Sequence, residues 1–176
     1  KTIKGVIVGY ENELITPDLI KNIPFASSTL KIGKGASGLI ILESKEEELE
    51  TWVSSDGVYL VFKEGRIVKT SGFFNNLINF KSVETNFASL IDTNESESLV
   101  YYYSYDDPKL IDMRVQASRR FVAKEKVQLI DREEELNLIE EQIVNDYIGW
   151  KVTNKFRIDD DMFVWKSEQY ISPKLP

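Results

Sequence analysis

The chain has 176 residues, with 22 Lys or Arg against 29 Asp or Glu, a formal charge of −7, and neither Cys nor His. A length of this order suits one domain, which on folding hides roughly 70% of the surface its unfolded chain exposes. Without Cys there are no disulfides, thiolate metal sites or Cys nucleophiles, and without His the familiar zinc sites and Ser-His triads are unavailable. The negative charge argues against a nucleic-acid partner, and no apolar run approaches the roughly 20 residues that cross a bilayer as a helix.

Ile3, Val6, Ile7 and Tyr10 recur at helical spacing and predict a short helix, although Gly5 and Gly9 each weaken it by about 1 kcal/mol relative to Ala. Thr16-Pro17-Asp18 is a second helix start, with Thr as the cap and Pro at the first helical position, ended by Pro24. From Phe25 onward short apolar runs separated by Gly, Asp and Ser predict consecutive strands. Leu39–Leu42 is one run. Residues 50–54 and 58–63 flank Ser55-Asp56-Gly57, and residues 58–63 are separated from 66–70 by Glu64-Gly65, two successive hairpin signals. Residues 73–94 are polar with scattered aromatics, and Asn79–Asn86 reads as a loop.

The strongest periodicity lies in the second half. Met113, Val115, Ala117, Phe121, Ala123, Val127 and Leu129 occupy odd positions among polar even ones, which predicts one long bent strand or two strands joined at a bulge. Arg119 and Glu125 interrupt that apolar face, either as rim or ion-pair residues or as the lining of a polar cleft. Trp150, Val152, Phe156 and Ile158 then alternate with polar residues, and Phe163, Trp165 and Ile171 resume an odd-numbered apolar series. This predicts a C-terminal hairpin with one buried face, ended by Pro173 and Pro176. The architecture expected is mainly β: an antiparallel, barrel-like coiled sheet with one or two short N-terminal helices, forming a single domain over residues 1–176.

The chemical candidates are few. Aspartates 159, 160 and 161 could hold a hard cation, but their spacing does not fit an EF-hand and suits a solvated turn; Glu46-Glu47-Glu48 and Glu133-Glu134-Glu135 are charge runs of wet loops or element ends. A glycan-cleaving site needs only two carboxylates, and Asp112, Glu125, Glu140, Glu141 and Asp159 are the candidates. Tyr101, Tyr102, Tyr103 and Tyr105 put rings on both faces of one strand, either as sheet packing or as sugar-stacking surfaces. Asn154 falls on the inward parity between Val152 and Phe156, where an unpaired amide would cost about 1–3 kcal/mol. With Ser167 and Gln169 it is expected to form one polar network across the C-terminal hairpin, stabilising the fold or lining a sugar cleft.

Ile23-Pro24-Phe25-Ala26-Ser27, Ile32-Gly33, Thr51-Trp52-Val53-Ser54, Asp56-Gly57 and the run Gly65 to Gly72 resemble the N-terminal half of the YjbF/GfcB family of capsule and exopolysaccharide lipoproteins. Ile148-Gly149-Trp150, Asn154, Ile158-Asp159, the run Val164 to Gln169 and Pro173-Lys174-Leu175-Pro176 resemble that family's ending. Two positions depart from the pattern: Arg157 stands where an aromatic is expected, and no Gly occurs near Asp161-Met162. The resemblance implies a coiled antiparallel fold, an upstream leader ending in a lipid-bearing Cys, and residence at the periplasmic face of the outer membrane. Lys1, in place of an initiating Met, fits either a processed leader or a trimmed chain. The resemblance also implies a role beside a polysaccharide export apparatus but carries over no catalytic mechanism; no cofactor or metal is expected.

The reading is therefore a lipid-anchored accessory of polysaccharide secretion that binds glycan or an export protein. Its candidate ligand-binding residues are Trp52, Arg66, Thr70, Trp150, Asn154, Trp165, Ser167 and Gln169. The alternatives are a carboxylate-dependent glycan-cleaving enzyme and a purely structural interaction module whose strand edges recruit another chain.

Overall fold

A computed structural model of the chain describes residues 15–83 and 87–175. The helix expected over Ile3–Tyr10 lies outside the described residues. The Thr16 signal yields helix α1 (Pro17–Lys21), in which the Thr16 hydroxyl accepts a hydrogen bond from the Leu19 amide at 3.2 Å. The helix ends at Asn22, before Pro24 is reached.

Two curled antiparallel sheets, each a half-barrel, follow in chain order. The first is a five-stranded meander of β1 (Ser27–Lys31), β2 (Ser37–Glu46), β3 (Leu49–Ser54), β4 (Tyr59–Lys63) and β5 (Arg66–Ser71). Both expected hairpins are present. Between β4 and β5, Lys63 pairs with Arg66, leaving the two-residue turn Glu64 (φ 49°) and Gly65 (φ 76°). Paired left-handed residues match the right-handed twist of the strands they join. Gly65 is required for a second reason: a Cβ there would lie 2.4 Å from Cβ of Val164, in the other sheet. The tip of this hairpin therefore rests directly on the C-terminal strand.

The second sheet has the order β11-β10-β9-β8-β7-β6. Its strands are β6 (Leu77–Lys81), β7 (Glu97–Tyr105), β8 (Leu110–Gln128), β9 (Glu133–Asn145), β10 (Trp150–Ile158) and β11 (Val164–Glu168). The loop expected over Asn79–Asn86 is corrected in its first part, since Asn79–Lys81 belong to β6, with Phe80 against the rings of Tyr101 and Tyr103. Between β6 and β7 lies helix α2 (Ala88–Thr93), which has no side-chain N-cap and ends at left-handed Asn94. Its start gives no capping signal in the sequence because Phe87 occupies the cap.

The long strand β8 is single, as one of the two readings has it, but its apolar face does not continue unbroken. Phe121 pairs with Ile139 and Ala123 with Leu138, so Val122 is an extra residue. Paired residues share a face and successive residues alternate, so one inserted residue reverses every later side chain. Met113, Val115, Ala117 and Phe121 share one face with Ile143 and Ile139; Ala123, Glu125 and Val127 share the opposite face with Leu138 and Leu136. The odd-numbered series expected through Val127 and Leu129 therefore changes face at the bulge, but its burial continues: Val127 is 5% exposed, beside buried Leu136 and Leu138, while the even positions stay exposed. Glu125 does not interrupt the inner core. It lies on this opposite face and pairs with Arg157 at 2.7 Å. Arg119 stays on the inner face, 3% exposed, paired with Glu97 at 2.5 Å and set over the Phe87 ring.

A second bulge reverses the C-terminal strand. Arg157 pairs with Lys166 and Ile158 with Val164, leaving Trp165 as the extra residue. Val164 packs inward beside Phe156 and Ile158, whereas Phe163 and Trp165 are 53% and 40% exposed. The odd-numbered apolar series expected to turn inward after Asp161 is therefore corrected at both positions. The aspartates form a turn: Asp159 Oδ1 accepts from the amides of Asp161 and Phe163, and Asp160 meets Lys124 and Asn137. Met162 has φ 68°, which explains why a Gly would suit this turn.

Three apolar clusters form the core. Tyr101, Tyr103 and Tyr105 face inward with Trp150 and Leu77, Phe156 and Ile139 lie further along the same sheet, and Leu60, Val58 and Ile40 fill the first sheet. Each fully buried large side chain contributes about 1.5–3 kcal/mol. The C-terminal segment ties the sheets together: Tyr105 donates to the Ile171 carbonyl at 2.8 Å, and Leu175 joins the core of the first sheet.

Candidate functional site

Strand β9 alternates Ile139, Glu141 and Ile143 on its inner face, so a carboxylate is carried into an apolar interior where it is 0% exposed. A buried carboxylate is tolerated only when paired and fully hydrogen-bonded. Arg66 supplies the pairing. Ile67 packs with Phe62 in the core of the first sheet, so the neighbouring Arg66, at the hairpin tip, points the opposite way into the second sheet. Its Nη1 donates to Glu141 Oε1 at 2.9 Å and its Nη2 to Oε2, a bidentate fork across 75 residues of chain. The guanidinium is enclosed by the rings of Phe156, Tyr101 and Phe80 at 5.0, 5.1 and 5.2 Å. Tyr101 Oη donates to Glu141 Oε2 at 2.7 Å and Asn154 Nδ2 to Oε1 at 3.0 Å.

Burial alone would lift the Glu141 carboxyl, but the Arg66 charge and the hydrogen bonds from Arg66, Tyr101 and Asn154 outweigh it and hold the group below its usual range. Burial alone would lower Arg66, and the Glu141 charge reverses the sign, leaving it above its ordinary value. The Tyr101 phenol is pushed up, chiefly by burial. The interior therefore holds a pair that is ionised near neutral pH.

The expected polar network takes a wider form. Gln169 Nε2 donates to Ser167 Oγ at 2.9 Å and to the Gly65 carbonyl at 2.8 Å, while its Oε1 accepts from the Ile67 amide at 3.0 Å. It thus grips the backbone on both sides of Arg66. Asn154 does not bond to Ser167 or Gln169; its Oδ1 accepts from the Tyr170 amide at 2.7 Å. Arg66, Asn154, Ser167 and Gln169 are brought to one junction between the sheets. Trp52, Thr70, Trp150 and Trp165 are not. Trp52 packs in the first sheet, Thr70 accepts from the Leu77 amide at 2.9 Å, and Trp150 meets the Tyr103 ring edge-on. Trp165 lies on the surface under the Arg132 guanidinium and donates to Asp159 at 2.8 Å.

The hub itself, Glu141, is a residue that parity could have singled out: a charge between two Ile on an inward series. Tyr101 as its partner carries no such signal. The remaining carboxylates are held apart by their own partners, Asp112 by Lys81 and Ser104, Glu125 by Arg157, Glu140 by Arg120, and Asp159 by its turn. Among the described residues no group of His, Asp or Glu is arranged to hold a metal.

Beside this junction the sheet surface opens. Strand β11 pairs only with Lys155–Ile158 of β10, so residues 150–154 have no strand beside them on that side. There Lys151, Val152, Thr153, Lys155, Glu168 and Tyr170 line an open groove of about 560 Å³.

The chain shares its fold with the crystal structure of the hypothetical lipoprotein YmcC from Escherichia coli (K12), at a TM-score of 0.74 and 18% identity, covering 92% of this chain and 84% of that one. It is 24% identical over 161 residues to the uncharacterised lipoprotein YjbF of Escherichia coli (strain K12), 89% of this chain and 74% of that protein. It is 31% identical over 77 residues to the uncharacterised lipoprotein GfcB of the same strain, 44% of this chain and 36% of that protein. The YjbF family model, described as group 4 capsule polysaccharide lipoprotein gfcB, YjbF, matches residues 1–176, and the chain belongs to that family.

Proposed function

We infer that the protein is a lipid-anchored accessory of capsule or exopolysaccharide secretion, a single domain held at the periplasmic face of the outer membrane, that binds glycan or an export protein and performs no catalysis. The observation that carries this reading is the family match along the whole of residues 1–176. The state of the interior carboxylate supports the non-catalytic part. A glycan-cleaving acid needs a raised pKa and a second carboxylate nearby, whereas Glu141 is held ionised and spent on Arg66, Tyr101 and Asn154. The junction of Arg66, Asn154, Ser167 and Gln169 serves to lock the two sheets in one arrangement and to present the surface beside it.

The test is deletion of the gene in a polysaccharide-secreting host, with extracellular polymer quantified. Loss of surface polymer, restored by the anchored protein and not by a version whose lipid-bearing Cys is replaced, is the expected result. Undiminished secretion in the deletion strain would refute the reading. Turnover of labelled polysaccharide by the purified protein would refute its non-catalytic part.

A further inference from the structure

We propose that the groove along the open edge of β10 binds an acidic polysaccharide, a chain carrying uronate or similar anionic groups; this deepens the function inferred above and rests on it. Charge is the first observation. In a chain of net charge −7, neighbouring basic residues are mostly neutralised: Arg120 by Glu140, Arg157 by Glu125 and Glu168, Lys124 by Asp160. Lys151 and Lys155 have no carboxylate partner among the described residues, and both line the groove. They sit on one outward face with Thr153 between them, and four strand residues span about 13 Å. That separation suits charges repeated along an extended polymer. It gives a low density of cations, matched to a glycan with an occasional acid group and not to the dense phosphates of nucleic acid.

The second observation is the construction of the groove. Tyr170, 43% exposed, forms one wall. Its position is fixed from the interior, because its amide donates to Asn154 Oδ1 at 2.7 Å while Asn154 Nδ2 is held by Glu141. An aromatic face fixed by its backbone beside a hydroxyl and two ammonium groups is a chemistry that stacks on sugar C–H faces and pairs with sugar acids. Asn154 is on this account a positioning residue. Glu168 in the same wall shares Arg157 with Glu125, so that trio keeps one net negative charge beside Lys155, which leaves Lys151, opposite Val144, as the cation farthest from any carboxylate on this face.

The experiment is titration of the purified protein with oligogalacturonate, with neutral dextran oligomers of matched length, and with polyglutamate, followed by calorimetry at low and moderate salt. The expected result is binding of oligogalacturonate that weakens with salt, with dextran and polyglutamate at least about tenfold weaker. Lys151→Ala, Lys155→Ala and Tyr170→Ala should each weaken it roughly threefold to tenfold, whereas Lys31→Ala on the first sheet should not. No binding of oligogalacturonate, equal binding of dextran or polyglutamate, or indifference to all three groove substitutions would overturn the proposal. In the deletion strain, full secretion restored by the Lys151→Ala/Lys155→Ala protein would overturn it while leaving the broader function intact. A deletion without effect would instead remove that broader function.

Discussion

Removing one partner of the Arg66–Glu141 pair should be among the most damaging substitutions available to this fold. Glu141 is wholly buried and the Arg66 side chain only 12% exposed. In Glu141→Gln the guanidinium remains among three aromatic rings with no counter-charge, and in Arg66→Met the carboxylate keeps only Tyr101 and Asn154 as donors. Breaking such a pair from one side costs about 3–5 kcal/mol, whereas replacing both partners by apolar groups can be close to neutral. At a urea m-value of about 2 kcal/mol per molar, each single variant loses roughly 2 M in midpoint. Arg66→Met/Glu141→Leu should lose clearly less than the sum, with an interaction energy above about 1.5 kcal/mol. The pH dependence has a definite sign. Because the folded Glu141 carboxyl is depressed, its contribution is complete above the unfolded value of about 4.3 and is lost as pH falls through the lower folded value. The gap between the native protein and Glu141→Gln should therefore be constant from pH 7 to 5 and narrow below about pH 4.3. Urea midpoints across that range decide the matter. Single variants costing under about 1 kcal/mol, or a double variant equal to the sum of the singles, would refute the reasoning.

The turn above this pair gives two further tests of opposite sign. Gly65→Ala should destabilise by more than the roughly 1–2 kcal/mol of its left-handed backbone, because the new methyl group meets Cβ and Cγ2 of Val164 at 2.4 Å; thermal unfolding should recover in part when Val164→Gly, which removes both atoms, is added. Glu64→Asn, at the first position of the same turn with φ 49°, should stabilise by up to about 1 kcal/mol, read as a raised urea midpoint. Gln169→Ala removes the acceptor of the Ile67 amide and the donor to Gly65. It should cost about 2–3 kcal/mol and speed hydrogen exchange at Ile67 well before that of the β9 core amides.

Much of the architecture is legible along the chain because a strand's side chains repeat every two residues. The alternation from Met113 to Phe121 and from Trp150 to Ile158, the Gly-bearing turns at 55–57 and 64–65, and the inward parity of Asn154 all follow from local pattern. The capped start at Thr16 and the family motifs were likewise visible in single segments. The helix at Ala88 was not, since its cap position carries Phe87.

Tertiary structure alone decided where that alternation breaks and which distant residues meet. A bulge at Val122 moves Glu125 and Val127 to the opposite face, where Val127 is buried with Leu136 and Leu138, and one at Trp165 turns Val164 inward and leaves the indole on the surface. One extra residue costs the sequence pattern nothing yet reverses every side chain beyond it. The pairing of Arg66 with Glu141 across 75 residues is beyond local reading for a different reason. Arg66 points away from its own sheet only because Ile67 fills that sheet's core, and it finds Glu141 only because the two half-barrels close against each other. Parity marks a buried charge; the packing of the sheets selects its partner.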